Sequence, residues 1–450
     1  MNQTKEHRLG MREKICYGFG DCAANVYVAM GSSFLTAYYT DTVGLAAMAV
    51  GTMMLVARIF DGVTDLAMGA VVDKTKSKYG KARPWVLWTA PLMALGLVAL
   101  FAVPQSLNES QSLVYAYITY IFMNCIVYTA NNLPYNALLS RMTLNVQDRT
   151  TTASLRFIMT QLMTLIINAV TANLVTSLGW FTLSVVYGIV EMVMLLICFL
   201  GCKEHIGEDA ESGTVKVENV PLKVSLPALL QNKYFFLQAL LFLFLFVNSV
   251  CIGSMGVYYS TNILGSMAFF TYLSMAQTIP TIIANFLNPS LVQKFGKRKV
   301  MGAGAVLMII GSCIIAVAGS SLPLVLIGIV IKGFGLGPIS SGVFALTADV
   351  VDYGEWKTGI RSEGLVNSCT SFGMKVGIGL GSAACTWILA AGGYDGTLTV
   401  QSQSALSAIR FGYGYFGAIT AAACLALILM MNIDKHIVQI QADLEKKHHA

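Results

Sequence analysis

Long apolar runs alternate with short polar segments along the whole chain, and this alternation predicts a helical membrane protein. A helix crosses the hydrocarbon core of a bilayer with about 20 residues. Twelve apolar runs of roughly that length occur, each bounded by polar or turn-forming residues. The predicted spans are 15–39, 44–72, 85–104, 112–139, 152–177, 179–201, 233–262, 266–292, 299–319, 322–347, 363–391 and 405–432.

One polar stretch divides these spans into two sets of six. It contains KEHIGEDAESGTVKVEN and has the character of a domain linker. The basic loop KYGKARPWVLW after span two is echoed by KFGKRKVMGAG after span eight, with Gly80 and Gly296 in equivalent places, which indicates two related bundles. The predicted parts are an N-terminal six-helix bundle, a cytoplasmic linker, a C-terminal six-helix bundle and a tail, at 1–201, 202–232, 233–432 and 433–450.

The loops that carry Lys and Arg predict the orientation. Loops after even-numbered spans and both termini hold nearly every positive charge, whereas the other loops hold none. By the positive-inside rule, both termini and the linker are cytoplasmic. The net charge of +6 arises in these loops, so it reports topology and does not indicate a nucleic-acid partner. A lipid bilayer is the expected surrounding.

Composition agrees with a membrane protein and narrows its class. The chain is 56% hydrophobic and 12% charged, whereas soluble domains have about 25% charged residues. The ten cysteines form no CxxC pair, which favours buried thiols over disulfides or zinc ligands. No GxxxxGK[ST] motif is present, so ATP-driven transport has no support. We expect a transporter without a cofactor rather than an enzyme.

Span two carries an unusual group of charges. A charge near the bilayer centre costs about 2.5–3.5 kcal/mol on insertion scales, yet this span contains Arg58, Asp61 and Asp65. At about 100° per residue they share one third of the helix circumference with Thr64. Two carboxylates one turn apart repel each other and are stable when a proton or a small cation lies between them. The alternative is a buried salt bridge with Arg58 that only locks helices together.

Several long motifs resemble the glycoside–pentoside–hexuronide:cation symporters, a branch of the major facilitator superfamily. The motifs are span two, YGFGD at 17–21, YYTDTVGL at 38–45, NNLPY at 131–135 and DVVDYGEWKTGIRSEG at 349–364. The resemblance implies an all-α membrane fold of twelve helices in two six-helix bundles, functional as a monomer. It also implies a central glycoside site that opens alternately to each side, and coupling to a cation.

The resemblance assigns the cation site to Asp61, Thr64, Asp65 and Thr129. Thr64 stands where melibiose carriers of this family have an asparagine ligand, so H+ and Na+ both remain open. No histidine lies within a predicted span, and a carboxylate pair shares a proton as readily as it chelates sodium. We prefer the proton.

The resemblance also assigns a sugar site, in which Asn25 and Asn132 replace carboxylates of melibiose carriers. Asp21 is shared with glucuronide-type members, and Arg156 can hold a carboxylate through two charge-assisted hydrogen bonds. We therefore expect a glucuronide or a related hexuronide or pentoside. The alternative is that Asp21 pairs with Arg156 or Lys375 and leaves a pocket for a neutral xyloside or glucoside. The assigned residues are Asp21, Asn25, Tyr128, Asn132, Arg156, Ser371 and Lys375.

Two further expectations concern the cytoplasmic side and the class of substrate. The segment 349–363 is predicted to be a loop whose acids pair with basic residues across the cytoplasmic mouth as the two halves rock. The competing interpretation is a static surface network. A lipid transporter of the same superfamily branch is the hypothesis of a different class, and the polar stripes of the spans argue against it. The gate residues are Arg141, Arg298, Asp349, Asp352 and Arg361.

Overall fold

Helices are the only regular secondary structure in the part of the chain that the computed structural model describes. These residues are 8–143, 145–205, 227, 229–360, 363–398, 400–433, 437, 439–440 and 443. The all-α expectation is confirmed for them. Eight of these helices are long and apolar enough to cross a membrane by length and composition. The count of twelve spans stays a prediction.

The chain forms two compact units, which are Met1–Val217 with Asp395–Thr399 and Glu218–Tyr394 with Val400–Ala450. Most of the predicted linker 202–232 and of the tail 433–450 lies outside the described residues. The helices of the first unit are α1 (Met11–Ala29), α2 (Ala47–Lys74), α3 (Arg83–Leu100), α4 (Glu109–Ile121), α5 (Thr129–Met142) and α6 (Val146–Gly201). Those of the second unit are α7 (Lys233–Asn262), α8 (Phe269–Phe295), α9 (Lys297–Ala318), α10 (Leu322–Thr358), α11 (Glu363–Ala391), α12 (Gln403–Arg410) and α13 (Phe416–Met430).

Several helices of the first unit are irregular. Within α6, Gly179 has φ 75° and ψ 165°, so two helices meet at the predicted boundary between spans five and six. A positive φ there suits a residue without a Cβ. The π-helical segment Phe122–Tyr128 joins α4 to α5, and helix α1 continues through π-helical turns at Met30–Phe34 and Tyr38–Thr42. Such π segments are frequent at functional sites, and the one before α5 ends at Tyr128, directly before Thr129.

The two basic loops share a local geometry, as the sequence repeat predicts. Gly80 has φ +106° and lies three residues before the start of α3. Gly296 has φ +85° and directly precedes α9. In the first unit the carboxylate of Glu204 accepts hydrogen bonds from the backbone N–H groups at the start of α3. In the second unit Lys297 forms an ion pair with Asp349 at 2.6 Å.

The predicted loop 349–363 is wrong for its first ten residues, which continue helix α10 as far as Thr358. Val350 and Val351 are buried in the core of the second unit, so this part of the helix has an apolar face to pack. The helix ends where Gly359 takes the left-handed conformation and donates its N–H to the carbonyl of Glu355 at 2.8 Å. This charged helical extension was mistaken for a loop because four of its ten residues are charged, which breaks the apolar run.

Candidate functional site

Two carboxylates and one hydroxyl form a cluster between α2 and α5, which we call the cation cluster. Asp61 and Asp65 lie one turn apart on α2, and Thr129 begins α5. Thr129 Oγ1 lies 3.0 Å from Asp61 Oδ1 and 3.4 Å from Asp65 Oδ1. Asp61 and Thr129 are buried, and Asp65 is half-buried. The structure thus brings together three of the four residues assigned to the cation site.

The proton count at Thr129 shows what this cluster needs. A hydroxyl has one proton to donate and two lone pairs, while an ionised carboxylate only accepts. The Thr129 hydroxyl can therefore make one full hydrogen bond to the two acids, or share its proton weakly between them. The second contact becomes favourable when an acid carries a proton and donates it to Oγ1, or when a cation draws the oxygens together.

The fourth assigned residue, Thr64, points its hydroxyl at its own helix. Its Oγ1 lies 3.1 Å from the carbonyl oxygen of Asp61 and 3.4 Å from that of Phe60, and donates toward them. This is the usual bond of a mid-helix threonine to a preceding carbonyl. Only the lone pairs of Thr64 Oγ1 remain to ligate a cation, and the carboxylates must supply most of the ligands.

Arg58 pairs with one acid of the cation cluster. Its Nη1 atom lies 3.6 Å from Asp61 Oδ2, and the Tyr120 hydroxyl lies near the same guanidinium. With one guanidinium and two carboxylates, the group has a formal charge of minus one when both acids are ionised. Two carboxylates one turn apart repel each other, so a monovalent cation or a proton held between them is favourable.

A second group, which we call the arginine cluster, surrounds Arg156 on α6. Arg156 Nε donates to Asp21 Oδ2 at 3.0 Å, and Nη1 donates to Asn136 Oδ1 at 2.7 Å and to the Tyr17 hydroxyl at 3.3 Å. Thr160 donates to the same Asp21 oxygen at 2.7 Å. Asp21 is therefore paired with Arg156, which was the alternative considered from the sequence.

The two asparagines assigned to the sugar site extend this cluster. Asn25 donates from Nδ2 to the carbonyl oxygen of Asp21 at 2.9 Å. Asn136 donates from Nδ2 to Asn132 Oδ1 at 2.8 Å, so Asn132 is linked to Arg156 through Asn136. Of these amides, Asn136 contacts the guanidinium directly, and it does so as a neutral group where a carboxylate would add negative charge.

Tyr128 connects the two clusters. Its hydroxyl lies near Arg58 and Asp61 of the first cluster and near Asp21 and Arg156 of the second. Tyr128 is the residue just before Thr129, and its ring packs against Tyr27 at 5.2 Å between centroids.

The other assigned residues lie in the second unit or at helix ends. Ser371 is exposed and Lys375 is half-buried on α11. Among the gate residues, Asp349 pairs with Lys297, and Arg298 donates from Nη2 to the carbonyl oxygen of Leu429. Asp352 lies half-buried on α10 and Arg141 lies in the last turn of α5. Arg361 is outside the described residues, and pairing across the mouth stays a prediction.

Sequence reasoning missed the two tyrosines that support Arg156. Tyr17 and Tyr135 stack with centroids 4.6 Å apart, and each hydroxyl donates to the other's backbone carbonyl, at 3.3 and 2.7 Å. The guanidinium carbon of Arg156 lies 5.5 Å from the centre of the Tyr135 ring, within range of a cation–π contact. The available signal was that both tyrosines belong to motifs quoted for the family, YGFGD and NNLPY.

Two buried ionisable residues lie outside both clusters. Lys332 on α10 is 1% exposed, and its Nζ has no hydrogen-bond partner among the described residues. Glu191 on α6 is fully buried, and neither carboxylate oxygen has such a partner there. No role follows from the surroundings of Glu191. A lysine in the middle of an apolar run was the overlooked signal for Lys332.

Comparison with known proteins gives consistent relatives. Residues 16–435 match the model of a family described as MFS/sugar transport protein. The chain is 31% identical to the isoprimeverose transporter of Lactiplantibacillus pentosus, over 97% of this chain and 91% of that protein. It is 32% identical to the glucuronide carrier protein homolog of Escherichia coli (strain K12), over 91% and 89%.

A further relative and a solved structure extend the comparison. The chain is 30% identical to the inner membrane symporter YicJ of Escherichia coli (strain K12), over 90% of this chain and 88% of that protein. A bacterial homolog of the human lysosomal transporter Spinster, solved in an inward-facing and unoccupied conformation, superposes with a TM-score of 0.69 at 12% identity, over 96% and 97% of the two chains. The latter likeness concerns the fold alone.

Proposed function

Because the chain belongs to the MFS/sugar transport protein family, we propose that it is a symporter that moves a glycoside across the bacterial inner membrane with one cation. The observation that carries this proposal is the cation cluster, in which Thr129 contacts two acids of α2 at 3.0 and 3.4 Å. Two close carboxylates beside a hydroxyl can hold one monovalent cation or one proton. The relatives named as transporters and a symporter support the same class.

The proposed architecture is the one the sequence predicts. Twelve spans form two six-helix bundles that rock about a central site, with both termini in the cytoplasm and the monomer as the working unit. Binding of both ligands permits reorientation, whereas the cation alone permits it poorly. The gate residues at the cytoplasmic ends of the helices form and break their pairs during this cycle.

We propose the proton as the coupling cation. The hydroxyl of Thr64 is engaged with its own helix carbonyls, so the cluster offers few neutral oxygen ligands to sodium. A proton shared by Asp61 and Asp65 needs no further ligands, and a protonated acid satisfies the second contact of Thr129. Uptake that strictly requires sodium and is insensitive to protonophore at constant membrane potential would overturn this assignment.

For the substrate, the arginine cluster favours the neutral xyloside or glucoside over the glucuronide that the sequence first suggested. Asp21 already supplies the counter-charge of Arg156 at 3.0 Å, and Asn136 and Tyr17 take further N–H groups of the same guanidinium. An anionic sugar would have to displace Asp21 to gain that pairing. The relative named isoprimeverose transporter supports a neutral glycoside.

The glucuronide remains the second candidate because of one observation. The Arg156 side chain keeps 29% of its surface exposed, so part of the guanidinium is open to a ligand. The relative named as a glucuronide carrier homolog supports this candidate. The two candidates predict opposite preferences of the wild-type carrier, and this difference provides the test.

The test measures competition in proteoliposomes between p-nitrophenyl β-glucuronide and p-nitrophenyl β-xyloside. We expect the xyloside to compete better for the wild-type carrier. Asp21→Asn frees the guanidinium and should shift the ratio of inhibition constants toward the glucuronide by about tenfold, the size of one charge-assisted hydrogen bond. The control is Arg410→Lys, at an exposed position on α12. Glucuronide preference in the wild type that Arg156→Gln selectively removes would establish the second candidate.

A further inference from the structure

A long concave groove lies on the second unit where α8 and α9 both pack on α10. Its volume is about 520 Å³, and every lining residue except Lys299 is apolar. Leu287, Leu291 and Phe295 form the α8 wall, Ala303 and Leu307 belong to the α9 wall, and Pro338 lies on the floor. The α8 residues are spaced three to four apart, so they share one helix face.

Small residues create this groove. A Cβ on Gly304 of α9 would lie 2.6 Å from the carbonyl oxygen of Gly335, and one on Gly337 would lie 2.6 Å from Cβ of Ala284 on α8. Only glycine permits helices to approach this closely. Because α8 and α9 both lie close to α10, a furrow remains between the larger side chains of α8 and α9. The shape is therefore a product of tight packing and does not arise from a missing contact.

The length of the groove matches one leaflet of a bilayer. Ala284 and Phe295 mark its two ends on α8, and eleven residues of helix span about 16 Å. This is close to half of the roughly 30 Å hydrocarbon core. The Phe295 end adjoins the basic loop KFGKRK, which the charge distribution predicts to be cytoplasmic. The groove thus follows the cytoplasmic leaflet.

Two lysines flank the mouth of the groove at that end. Lys299 is exposed and makes no hydrogen bond or ion pair with any described residue, and Lys294 places its Nζ 5.3 Å from the centre of the Phe295 ring. Their neighbours are engaged, since Lys297 pairs with Asp349 and Arg298 donates to the Leu429 carbonyl. Basic side chains at the headgroup level attract anionic lipids.

We propose that this groove is a binding site for one anionic phospholipid of the cytoplasmic leaflet. One acyl chain lies in the apolar furrow, and the phosphate accepts hydrogen bonds from Lys299 and Lys294. The concave apolar wall alone would take the chain of any lipid, and the two lysines supply the preference for a negative headgroup. The bound lipid contacts both α8 and α9 of the second unit.

The experiment is native mass spectrometry of the delipidated full-length carrier, titrated with phosphatidylglycerol or phosphatidylcholine of identical acyl chains. We expect one tightly held phosphatidylglycerol per chain. Ala303→Trp fills the furrow and should abolish that binding, whereas Val317→Trp, on the exposed far end of the same helix, should not. Lys299→Gln should lower the preference for phosphatidylglycerol about fivefold, and Lys78→Gln, in the corresponding loop of the first unit, should leave it unchanged.

Three outcomes would overturn the proposal. Equal binding of the two lipids by the wild type would remove the headgroup preference. Equal losses with Ala303→Trp and Val317→Trp would place the lipid elsewhere. A wild-type dimer that Ala303→Trp dissociates, with no lipid retained, would show that the groove receives a second copy of the chain.

Discussion

At the scale of single residues, the two clusters differ in how far local spacing reveals them. Asp61 and Asp65 share a helix face because they are four positions apart, so their proximity follows from helix geometry alone. The pair of Asp21 and Arg156 joins residues on different helices, 135 positions apart. Only the packing of α1 against α6 decides that pairing, and the sequence left it as one of two alternatives.

Removing either acid of the cation cluster should uncouple transport. Asp61→Asn or Asp65→Asn deletes a negative charge and little volume, so we expect loss of uphill accumulation with some sugar binding or exchange retained. Uptake and counterflow in proteoliposomes measure the two activities separately. Glu109→Gln, an exposed acid in the first turn of α4, is the matched control and should accumulate normally. Normal cation-driven accumulation in both cluster variants would refute the assignment.

Thr129 should contribute to the affinity for the coupling cation through its hydroxyl. Thr129→Val keeps the side-chain shape but leaves the buried carboxylates one partner short, at a cost of about 1–3 kcal/mol. We therefore expect the cation concentration for half-maximal uptake to rise at least fivefold. Thr129→Ser retains the hydroxyl and should stay within about twofold of the wild type. Equal effects of both substitutions would mean that packing, and not the hydroxyl, matters at this position.

The buried ammonium group of Lys332 should lower the temperature of thermal unfolding. Its ammonium group is buried without a hydrogen-bond partner among the described residues, and burial of such a group is unfavourable. Lys332→Met replaces it with an apolar chain of similar length and should raise the temperature of thermal unfolding by several degrees. Lys332→Ala would instead leave a cavity and should not raise it. A lower unfolding temperature for Lys332→Met would indicate that the amine has a favourable role.

At the scale of helices, the irregular segments were the hardest to predict. The break at Gly179 was foreseen because a short polar interruption separates two apolar runs. The extension of α10 to Thr358 was not, since helix ends depend on which face finds a partner, and buried Val350 and Val351 provide one. The hydrophobic period of a helix does not distinguish a π-helical turn from an α-helical one. The π-helical segment before Thr129 could therefore not be predicted, although it sets the position of a residue of the cation cluster.

The start of α3 should depend on Gly80. Its φ of +106° is strained for other residues, and an added Cβ would lie 2.3 Å from Cδ of Glu204. That carboxylate accepts the N–H groups of Lys81, Ala82 and Arg83 at 2.8–3.1 Å, which would otherwise lack partners. We expect Gly80→Ala to lower the unfolding temperature by several degrees.

The matched control for that substitution is Gly69→Ala on α2. An added Cβ there meets nothing within 4 Å, and alanine favours helix over glycine by about 1 kcal/mol. Gly69→Ala should therefore leave the unfolding temperature unchanged or raise it slightly. Similar losses in both variants would show that the strain at Gly80 is not the cause.

At the scale of the whole molecule, the class of protein and the division into two related halves follow from hydropathy and from the repeated basic loop. These properties are spread over hundreds of residues, so no single misplaced contact alters them. The substrate depends on a few side chains around Arg156, whose arrangement the sequence does not specify. The charge of the transported sugar is therefore tested through the net charge that one complete transport cycle moves.

The net charge moved in each cycle should distinguish a neutral glycoside from a glucuronide. One cation with a neutral sugar carries one positive charge inward, whereas one cation with an anionic sugar carries none. A potential of 100 mV, negative inside, contributes about 2.3 kcal/mol per charge, which corresponds to about 50-fold accumulation. We expect a potassium diffusion potential to drive accumulation of a neutral xyloside in proteoliposomes with equal pH and sodium on both sides. Asp61→Asn should abolish it, and accumulation that ignores the potential would contradict one-cation symport of a neutral glycoside.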